Sequence, residues 1–151
     1  MRYHGRVKVV LDTSVIVAAT RSDSGASRQL LRAGLARRFE PLLSVALALE
    51  YEAVLKRPEQ LAVSGGTIEE IDKLLNALIA VAMPVYRSFF WRPLLPDAND
   101  DLVLEAALSG HADLLVTFNR RDFEIAESAW GVLVVTPQQA LKQMRRKDEK
   151  E

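Results

Sequence analysis

The chain has 151 residues, of which 49% are hydrophobic and 26% are charged, and this suits one soluble domain with a real core. The absence of cysteine excludes disulfides and thiolate metal sites, and it fits a reducing cytoplasm. Basic and acidic residues balance to a net charge of zero, so any nucleic acid binding has to come from a local site.

Neither a secretory signal nor a membrane span is predicted, so we expect a cytoplasmic protein without a membrane partner. Charged residues come too early in the N-terminus, MRYHGRVKVVLD, for a signal peptide. The longest apolar stretch, LLNALIAVAMPVY, contains Asn76 and Pro84 and is too short to cross a bilayer.

Short, continuously apolar segments alternate along the chain with segments of helical periodicity. The predicted strands are residues 7–11, 39–44, 83–86, 113–117 and 132–136. Helices are predicted at 24–38, 45–56 (ended by Pro58), 67–82, 100–109 and from Pro137, with a turn at 62–66 and an irregular loop at 87–100. This pattern predicts a three-layer α/β/α fold with a central, mostly parallel sheet of four to five strands. Residues 1–144 are expected to form this single domain and residues 145–151 a charged, disordered tail.

In parallel sheets, sites form just beyond the carboxyl ends of the strands, so the polar residues at those positions are candidates. Asp12 follows the first strand, and LLVTFNRRDF leads a buried strand directly into a polar turn with Asn119 and Asp122. Each has a structural alternative, since Asp12 or Asp122 could cap a short helix and Asn119 could supply a left-handed turn. Thr13 and Ser14 could also cap, or could steady a ligand.

Glu50 is the carboxylate of the helix 45–56 that we expect to face inward. At about 100° per residue, it falls on a face with the apolar residues 46, 47, 53 and 54. A carboxylate among apolar neighbours is costly unless a cation or hydrogen bonds compensate it. Glu52 instead has Lys56 four residues on as a surface partner.

The segment PDANDD opens the next helix with three carboxylates, which is more than one helix cap needs. Asp97 could cap the helix. Asp100 has apolar residues three, four and seven positions on, which predicts that it faces the core. Asp101 has Glu105 four positions on and is expected at the edge of the helix, as the second choice for the inward carboxylate.

Asp12, Glu50, Asp100 and Asp122 thus all fall at strand ends or on inward helix faces. Four carboxylates do not share a pocket while ionised unless a cation is present. Oxygen ligands without cysteine or a positioned histidine suit Mg²⁺ or Mn²⁺. Two such ions about 4 Å apart activate water and stabilise the leaving oxygen in phosphodiester hydrolysis. The arginines at 120 and 121 are expected to be solvated, with contact to a phosphate as the alternative.

These segments, in this order, resemble the PIN-domain ribonucleases, which include the VapC-like toxin components of toxin–antitoxin pairs. VVLDTSVIVAA resembles the first strand with its acid, Asp12, and SVALALEYEAVLKRP resembles the helix with the second acid, Glu50. DANDDLVLEAALSGHADLLVTFNRRDF is similar to the third and fourth acidic segments, with Asp100 and the turn of Asn119 and Asp122. VLVVTPQQAL resembles the final strand and helix, so the resemblance covers nearly the whole chain.

The resemblance implies RNA cleavage that depends on Mg²⁺ or Mn²⁺, with Asp12 and Asp100 as the firmest ligands. It implies that Asn119, or Thr117 just before it, contacts the scissile phosphate. It also implies a homodimer and an antitoxin that inserts a segment into the acidic groove. The SFFWRPLL loop is a candidate surface for either partner, and a loop tucked into the core is the alternative. Many relatives carry an aspartate where this chain has Asn119, which leaves the fourth acidic role to Asp122.

Other functions for acids at strand ends fit this chain less well. A receiver domain needs an Asp after the middle strand and a Lys after the last one, and neither is present. A haloacid-dehalogenase-like phosphatase needs an Asp where this chain has Ser14, and no dinucleotide-binding G-x-G-x-x-G follows the first strand. The remaining alternative is a non-catalytic PIN-like module that binds RNA or a protein partner without cleaving.

Overall fold

The computed structural model describes residues 6–23, 25–86 and 94–150, with side chains through residue 146. The described residues form one parallel sheet in the order β3-β2-β1-β4-β5. The strands are β1 Lys8–Leu11, β2 Glu40–Leu43, β3 Met83–Pro84, β4 Leu114–Val116 and β5 Leu133–Val135. Each lies within a strand predicted from the sequence. Most of the SFFWRPLL loop lies outside the described residues, so its role as a partner surface stays a prediction.

The strands in the middle of the sheet are buried on both faces. Val9, Val10, Leu115 and Val116 are each 0% exposed. Double burial explains why β1 and β4 are continuously apolar in sequence rather than alternating. By contrast, β3 lies at the edge of the sheet and has only two residues. Pro84 is tolerated there although it cannot donate a backbone hydrogen bond.

Helices cover both faces of this sheet. They are α1 Thr13–Arg21, α2 Ala26–Leu35, α3 Val45–Leu55, α4 Pro58–Ser64, α5 Ile68–Val81, α6 Ala98–Ser109, α7 Glu124–Trp130 and α8 Pro137–Lys150. α6 packs against β1, β2 and β4, whereas α5 packs on β2, α8 on β4, and α2 against both α5 and α8. When right-handed crossover connections run toward opposite edges of a sheet, the helices in those connections pack on opposite faces of the sheet. The predicted three-layer α/β/α fold is therefore confirmed.

Local sequence signals account for several helix ends. The predicted capping box is present, since Glu70 N–H donates to Thr67 Oγ1 at 3.2 Å and Thr67 N–H donates to Glu70 Oε1 at 3.1 Å. The prediction of a turn over 62–66 is wrong in part, because Pro58 begins the new helix α4 rather than only ending α3. The turn is reduced to the residues after Ser64, where Gly65 has a φ of 72° and closes the helix.

The last helix, α8, is longer than predicted. It extends to Lys150, past residue 144, where the charged tail was expected to begin. The domain boundary and the disorder of the last residues stay predictions. Across the described ranges, no helix combines the length and the apolar character needed to cross a membrane.

Candidate functional site

The candidate site lies where the chain reverses its direction across the sheet, between the carboxyl ends of β1 and β4. The chain runs from β1 through β2 to the β3 edge and then returns to place β4 on the other side of β1. Asp12 N–H donates to the Val116 carbonyl at 2.9 Å, and Thr117 N–H donates to the Val135 carbonyl at 2.9 Å. The ends of β1, β4 and β5 are therefore level. Ligand crevices of open parallel sheets form at such reversals, beyond the carboxyl ends of the strands.

Asp12 occupies the N-cap position of α1, yet its side chain does not cap that helix. Its Oδ2 instead accepts hydrogen bonds from Ser14 Oγ at 2.8 Å and from Thr117 Oγ1 at 2.7 Å. Among the described residues, no donor contacts the other oxygen, Oδ1. Asp12 is only 6% exposed, so two hydroxyls hold a nearly buried carboxylate in one orientation and leave one oxygen available to a ligand.

Thr117 connects Asp12 to the polar turn that follows β4. Its side chain is fully buried, and its Oγ1 donates to Asp12 while accepting from the Asn119 N–H at 2.9 Å. Ser14 and Thr117 were predicted to contact substrate, and in the structure both hydroxyls position the Asp12 carboxylate. Thr13 is half-buried at the start of α1. Substrate contact by Thr13, Ser14, Thr117 or Asn119 stays a prediction.

The polar turn itself is a short 3-10 turn, Arg120–Phe123, in which Asp122 N–H donates to the Asn119 carbonyl at 3.0 Å. Asn119 has a φ of −113°, so the left-handed alternative for this residue is wrong. Asp122 does not cap α7 either, because Phe123 is its N-cap and no side chain caps that helix. The exposed side chains of Asn119 and Asp122 are therefore not explained by local structure.

The carboxylates at the start of α6 have different environments. Asp97 caps the helix by accepting from the Asn99 N–H at 2.9 Å. Asp101 is 2% exposed and accepts from the backbone N–H groups of residues 95 and 94 at 2.6 and 3.3 Å. Its predicted place at the helix edge is wrong, and so is the choice of Asp100 before Asp101 as the acid that faces the core, because Asp100 is only half-buried. The preceding segment folds over the helix and supplies these donors, a tertiary contact that periodicity does not show. Glu105 is buried as well.

Asp100 lies close to the other carboxylates of the candidate site. Its side chain is half-buried, and no described residue donates a hydrogen bond to it. The pKa of Asp100 is raised to about 6, first by burial and then by the charges of Asp12, Asp97, Asp122 and Asp101. The fold therefore brings three of the predicted site acids, at residues 12, 100 and 122, close enough for their charges to interact.

Glu50 lies at the border of the buried face of α3 rather than in its middle. The buried face consists of Leu47, Tyr51 and Leu55, and Glu50 is half-buried beside it. Its charge is not among those that raise the pKa of Asp100. α3 nevertheless packs against both α1 and α6. As predicted, Glu52 has a surface partner instead, since its Oε2 lies 3.0 Å from Lys56 Nζ.

Sequence reasoning missed Tyr51, whose hydroxyl donates to the carbonyl of Leu11, directly before Asp12. The Tyr51 side chain is 2% exposed. Burial raises the pKa of Tyr51, and the charge of Asp12 raises it further, so the hydroxyl stays protonated and remains a donor. A tyrosine on the apolar face of a helix was the available signal, because a buried phenol needs a hydrogen-bond partner.

The carboxylates of the candidate site suit a hard divalent cation in both chemistry and charge. The candidate ligands are carboxylates, and oxygen ligands favour Mg²⁺ and Mn²⁺. A cation would also relieve the repulsion that raises the pKa of Asp100. In the part of the chain that the structure describes, no three His, Asp or Glu side chains already converge as ligands. A metal ion at this site would have to draw these side chains together.

Fold and site together define an α/β/α protein with a cluster of acidic side chains at the reversal between β1 and β4. The family model for the PIN domain matches residues 8–121, which is most of the chain. The chain belongs to the PIN-domain family, and this membership indicates a hydrolase of the nuclease type. The matched range ends one residue before Asp122.

A solved structure shows the same fold. It is a chain in the crystal structure of VapBC2 from Rickettsia felis bound to a DNA fragment from their promoter. The TM-score is 0.57 at 15% sequence identity, and the alignment covers 86% of this chain and 98% of that chain. A comparison with curated proteins found no match.

Proposed function

We propose that the protein is an endoribonuclease that requires Mg²⁺ or Mn²⁺ and hydrolyses phosphodiester bonds in RNA. The observation that supports this most is the environment of Asp12, a nearly buried carboxylate that two hydroxyls orient at the reversal point of a PIN-domain sheet. A purely structural aspartate at this position would cap α1 with its side chain, and Asp12 does not.

The proposed metal ligands are Asp12, Glu50, Asp100 and Asp122. Asp101 is a poor candidate because both of its oxygens accept backbone N–H groups. Neutral pH is above the Asp100 pKa of about 6, so this carboxyl is mostly ionised and available as a ligand. A bound divalent cation supplies neutralisation of the phosphate charge and activation of a water molecule.

The remaining residues position these groups and bind the substrate. Ser14 and Thr117 hold Asp12 Oδ2, which leaves Oδ1 as the oxygen presented to a ligand. Asn119 is exposed next to Thr117, and its side-chain amide is proposed to donate to the scissile phosphate. An amide can donate to a phosphate oxygen, whereas a carboxylate at that position would repel it. Thr13 is proposed to contact the same phosphate.

We further propose that this nuclease is the cytoplasmic toxin of a toxin–antitoxin pair and forms a homodimer. The neighbour from Rickettsia felis that shares the fold belongs to VapBC2. The charge of the crevice also supports an inhibitory partner. A basic side chain inserted beside Asp12 and Asp100 would neutralise the repulsion there and occupy the place of the metal.

Cleavage of single-stranded RNA by the purified protein, with EDTA, Mg²⁺ or Mn²⁺, tests the proposal. We expect cleavage only with metal, and we expect Asp12→Asn to abolish cleavage while the circular dichroism spectrum is unchanged. A protein that binds RNA in every condition and cleaves it in none would instead be the non-catalytic PIN-like module. A protein that neither binds metal nor cleaves would contradict the proposal outright.

A further inference from the structure

A cleft of about 290 Å³ lies along β5, the strand beside β4, and has basic side chains in its lining. Arg120 contributes from the turn after β4, and Lys142 and Arg146 contribute from α8. The floor is β5, and the polar side chains of Gln139 and Gln143 complete the lining. No carboxylate belongs to the lining among the described residues.

The turn after β4 links this cleft to the candidate site. Arg120 directly follows Asn119, the residue whose N–H bonds to Thr117. The cleft also begins at the same edge of the sheet, because β4 and β5 pair in register and Thr117 N–H donates to the Val135 carbonyl. The turn after β4 therefore carries both Asn119, whose N–H contacts Thr117 of the candidate site, and Arg120, which lines the cleft.

The charges in the cleft are unpaired in the described part of the chain. Lys142 and Arg146 are four residues apart on α8, and like charges at this spacing repel each other. Neither they nor Arg120 form an ion pair with a described carboxylate. The nearby Glu127 uses its Oε1 to accept from the Val134 N–H at 2.8 Å. An anion in the cleft would offset this repulsion.

We propose that the cleft formed by Arg120, Lys142 and Arg146 binds the phosphodiester backbone of the RNA next to the scissile bond. This inference rests on the proposed function. RNA carries a negative charge on every nucleotide, and the acidic crevice repels that charge, so phosphate contacts have to come from elsewhere on the protein. Because the net charge is zero, a local cluster has to supply them. Arginine forks and lysine ammonium groups are the usual phosphate contacts.

RNA fits this cleft better than an acidic protein segment does. Side chains of a protein partner would seek apolar contacts, and the exposed lining here is mainly arginine, lysine and glutamine. The one exposed large apolar residue in the lining is Leu133, which is 44% exposed. An acidic peptide is therefore the alternative occupant that the experiment has to separate from RNA.

The test compares the triple variant Arg120→Gln/Lys142→Gln/Arg146→Gln with a control that loses the same charge elsewhere. The control is Arg32→Gln/Arg57→Gln/Lys73→Gln, whose residues are exposed and lie on or beside α2, α4 and α5. Binding of labelled single-stranded RNA is measured in EDTA by fluorescence anisotropy over a series of KCl concentrations. EDTA prevents cleavage, so binding is measured separately from catalysis.

We expect the triple variant to bind RNA about tenfold more weakly than wild type and to show a salt dependence shallower by about two, at about 0.7 per lost phosphate contact. The control should match wild type in both quantities. In cleavage assays with Mn²⁺, the KM of the triple variant should rise, while its Mn²⁺ binding by calorimetry should match wild type because no carboxylate has changed.

Every other outcome overturns the inference. If the wild type cleaves RNA and the triple variant binds RNA with unchanged affinity and salt dependence, the cleft is not a phosphate site, although the proposed function stands. If both variants lose affinity equally, the effect is one of net charge only. If the triple variant keeps its RNA affinity but loses binding of a polyglutamate peptide, the cleft takes acidic protein segments. If the wild type neither binds nor cleaves RNA, both proposals fail.

Discussion

The two carboxylates at the centre of the site, Asp12 and Asp100, are compensated to different degrees. Asp12 accepts hydrogen bonds from two hydroxyls. No described residue donates to Asp100, and its pKa is raised by burial and by four neighbouring carboxylates. In the metal-free protein, repulsion among these carboxylates therefore disfavours the ionised form of Asp100.

This residue should make the metal-free protein less stable as the pH rises. The pKa of Asp100 is about 6 in the folded protein, against 3.8 for an aspartate without these neighbours, so ionisation is less favourable in the folded state than in the unfolded state. The stability that the protonated Asp100 carboxyl contributes is fully present below pH 3.8 and is lost as the pH rises through about 6. In EDTA, Asp100→Asn should melt like wild type near pH 4 and at a higher temperature than wild type near pH 8.

Asp23→Asn is the matched control for the melts. Asp23 is an exposed carboxylate that pairs with Arg28 at 3.2 Å, away from the crevice. The control should show no gain in melting temperature at the higher pH. A gain for Asp100→Asn of equal size at both pH values would mean that relief of charge repulsion is not its cause.

At the scale of the elements, Tyr51 fastens α3 to the end of β1. The paired register of β1 and β2 ends at Val9 and Pro41, two residues before Leu11. The Leu11 carbonyl lies beyond that ladder and accepts the Tyr51 hydroxyl. The helix that carries Glu50 is thereby tied to the strand that carries Asp12.

Tyr51→Phe should lower the free energy of unfolding by about 1–3 kcal/mol, because a buried carbonyl loses its donor. It should also weaken Mn²⁺ binding, since α3 is no longer fixed relative to Asp12. Denaturant unfolding and calorimetry measure the two effects. Tyr86→Phe is the control, because Tyr86 is 82% exposed, and it should change neither quantity. Lower stability with unchanged metal affinity would limit Tyr51 to a structural role.

Elements that depend on local sequence could be predicted, and those that depend on tertiary contacts could not. The strands are continuously apolar because both faces are buried, and the capping box of α5 uses residues three positions apart. α4 was missed because a proline can both end one helix and begin the next. Asp101 was misplaced because its donors belong to the segment that folds over α6.

The same distinction holds for the candidate site, where local sequence predicted some residues and tertiary contacts determine others. The rule that sites form at the carboxyl ends of parallel strands located Asp12 and the turn of Asn119 and Asp122 from the sequence alone. The long-range contacts that position Asp12 could not be predicted in this way. Thr117 is 105 residues away from Asp12 along the chain, and Tyr51 is 40 residues away from Leu11. Contacts at such separations follow from the packing of the whole fold rather than from any local pattern.

At the scale of the whole molecule, the proposed metal ligands are distant in sequence and lie on different elements, so a metal ion that binds them all requires the folded protein. A metal that binds only the folded state stabilises it, by about 2.7 kcal/mol at a concentration one hundred times its Kd. Mg²⁺ or Mn²⁺ should therefore raise the melting temperature of the wild type. Glu50→Gln should reduce this shift, because it removes a proposed ligand.

Glu52→Gln is the matched control on the same helix, two residues from Glu50. It removes only the surface pair with Lys56, worth about 0.5 kcal/mol or less, and should keep the full metal-induced shift. Equal losses from both variants would show that Glu50 is not a ligand. The absence of any shift in the wild type would show that the folded protein does not bind these metals.

The hydrogen bond between Thr117 and Asp12 also determines when the site can exist during synthesis. A growing polypeptide that has not yet reached Thr117 contains Asp12, Ser14 and Glu50 but lacks the hydroxyl that holds the Asp12 carboxylate. Long-range pairing of parallel strands is a slow step, because the loop between them must close before their contacts are gained. If the protein is the proposed ribonuclease, each new copy should therefore remain inactive on the ribosome until β4 has emerged and paired with β1.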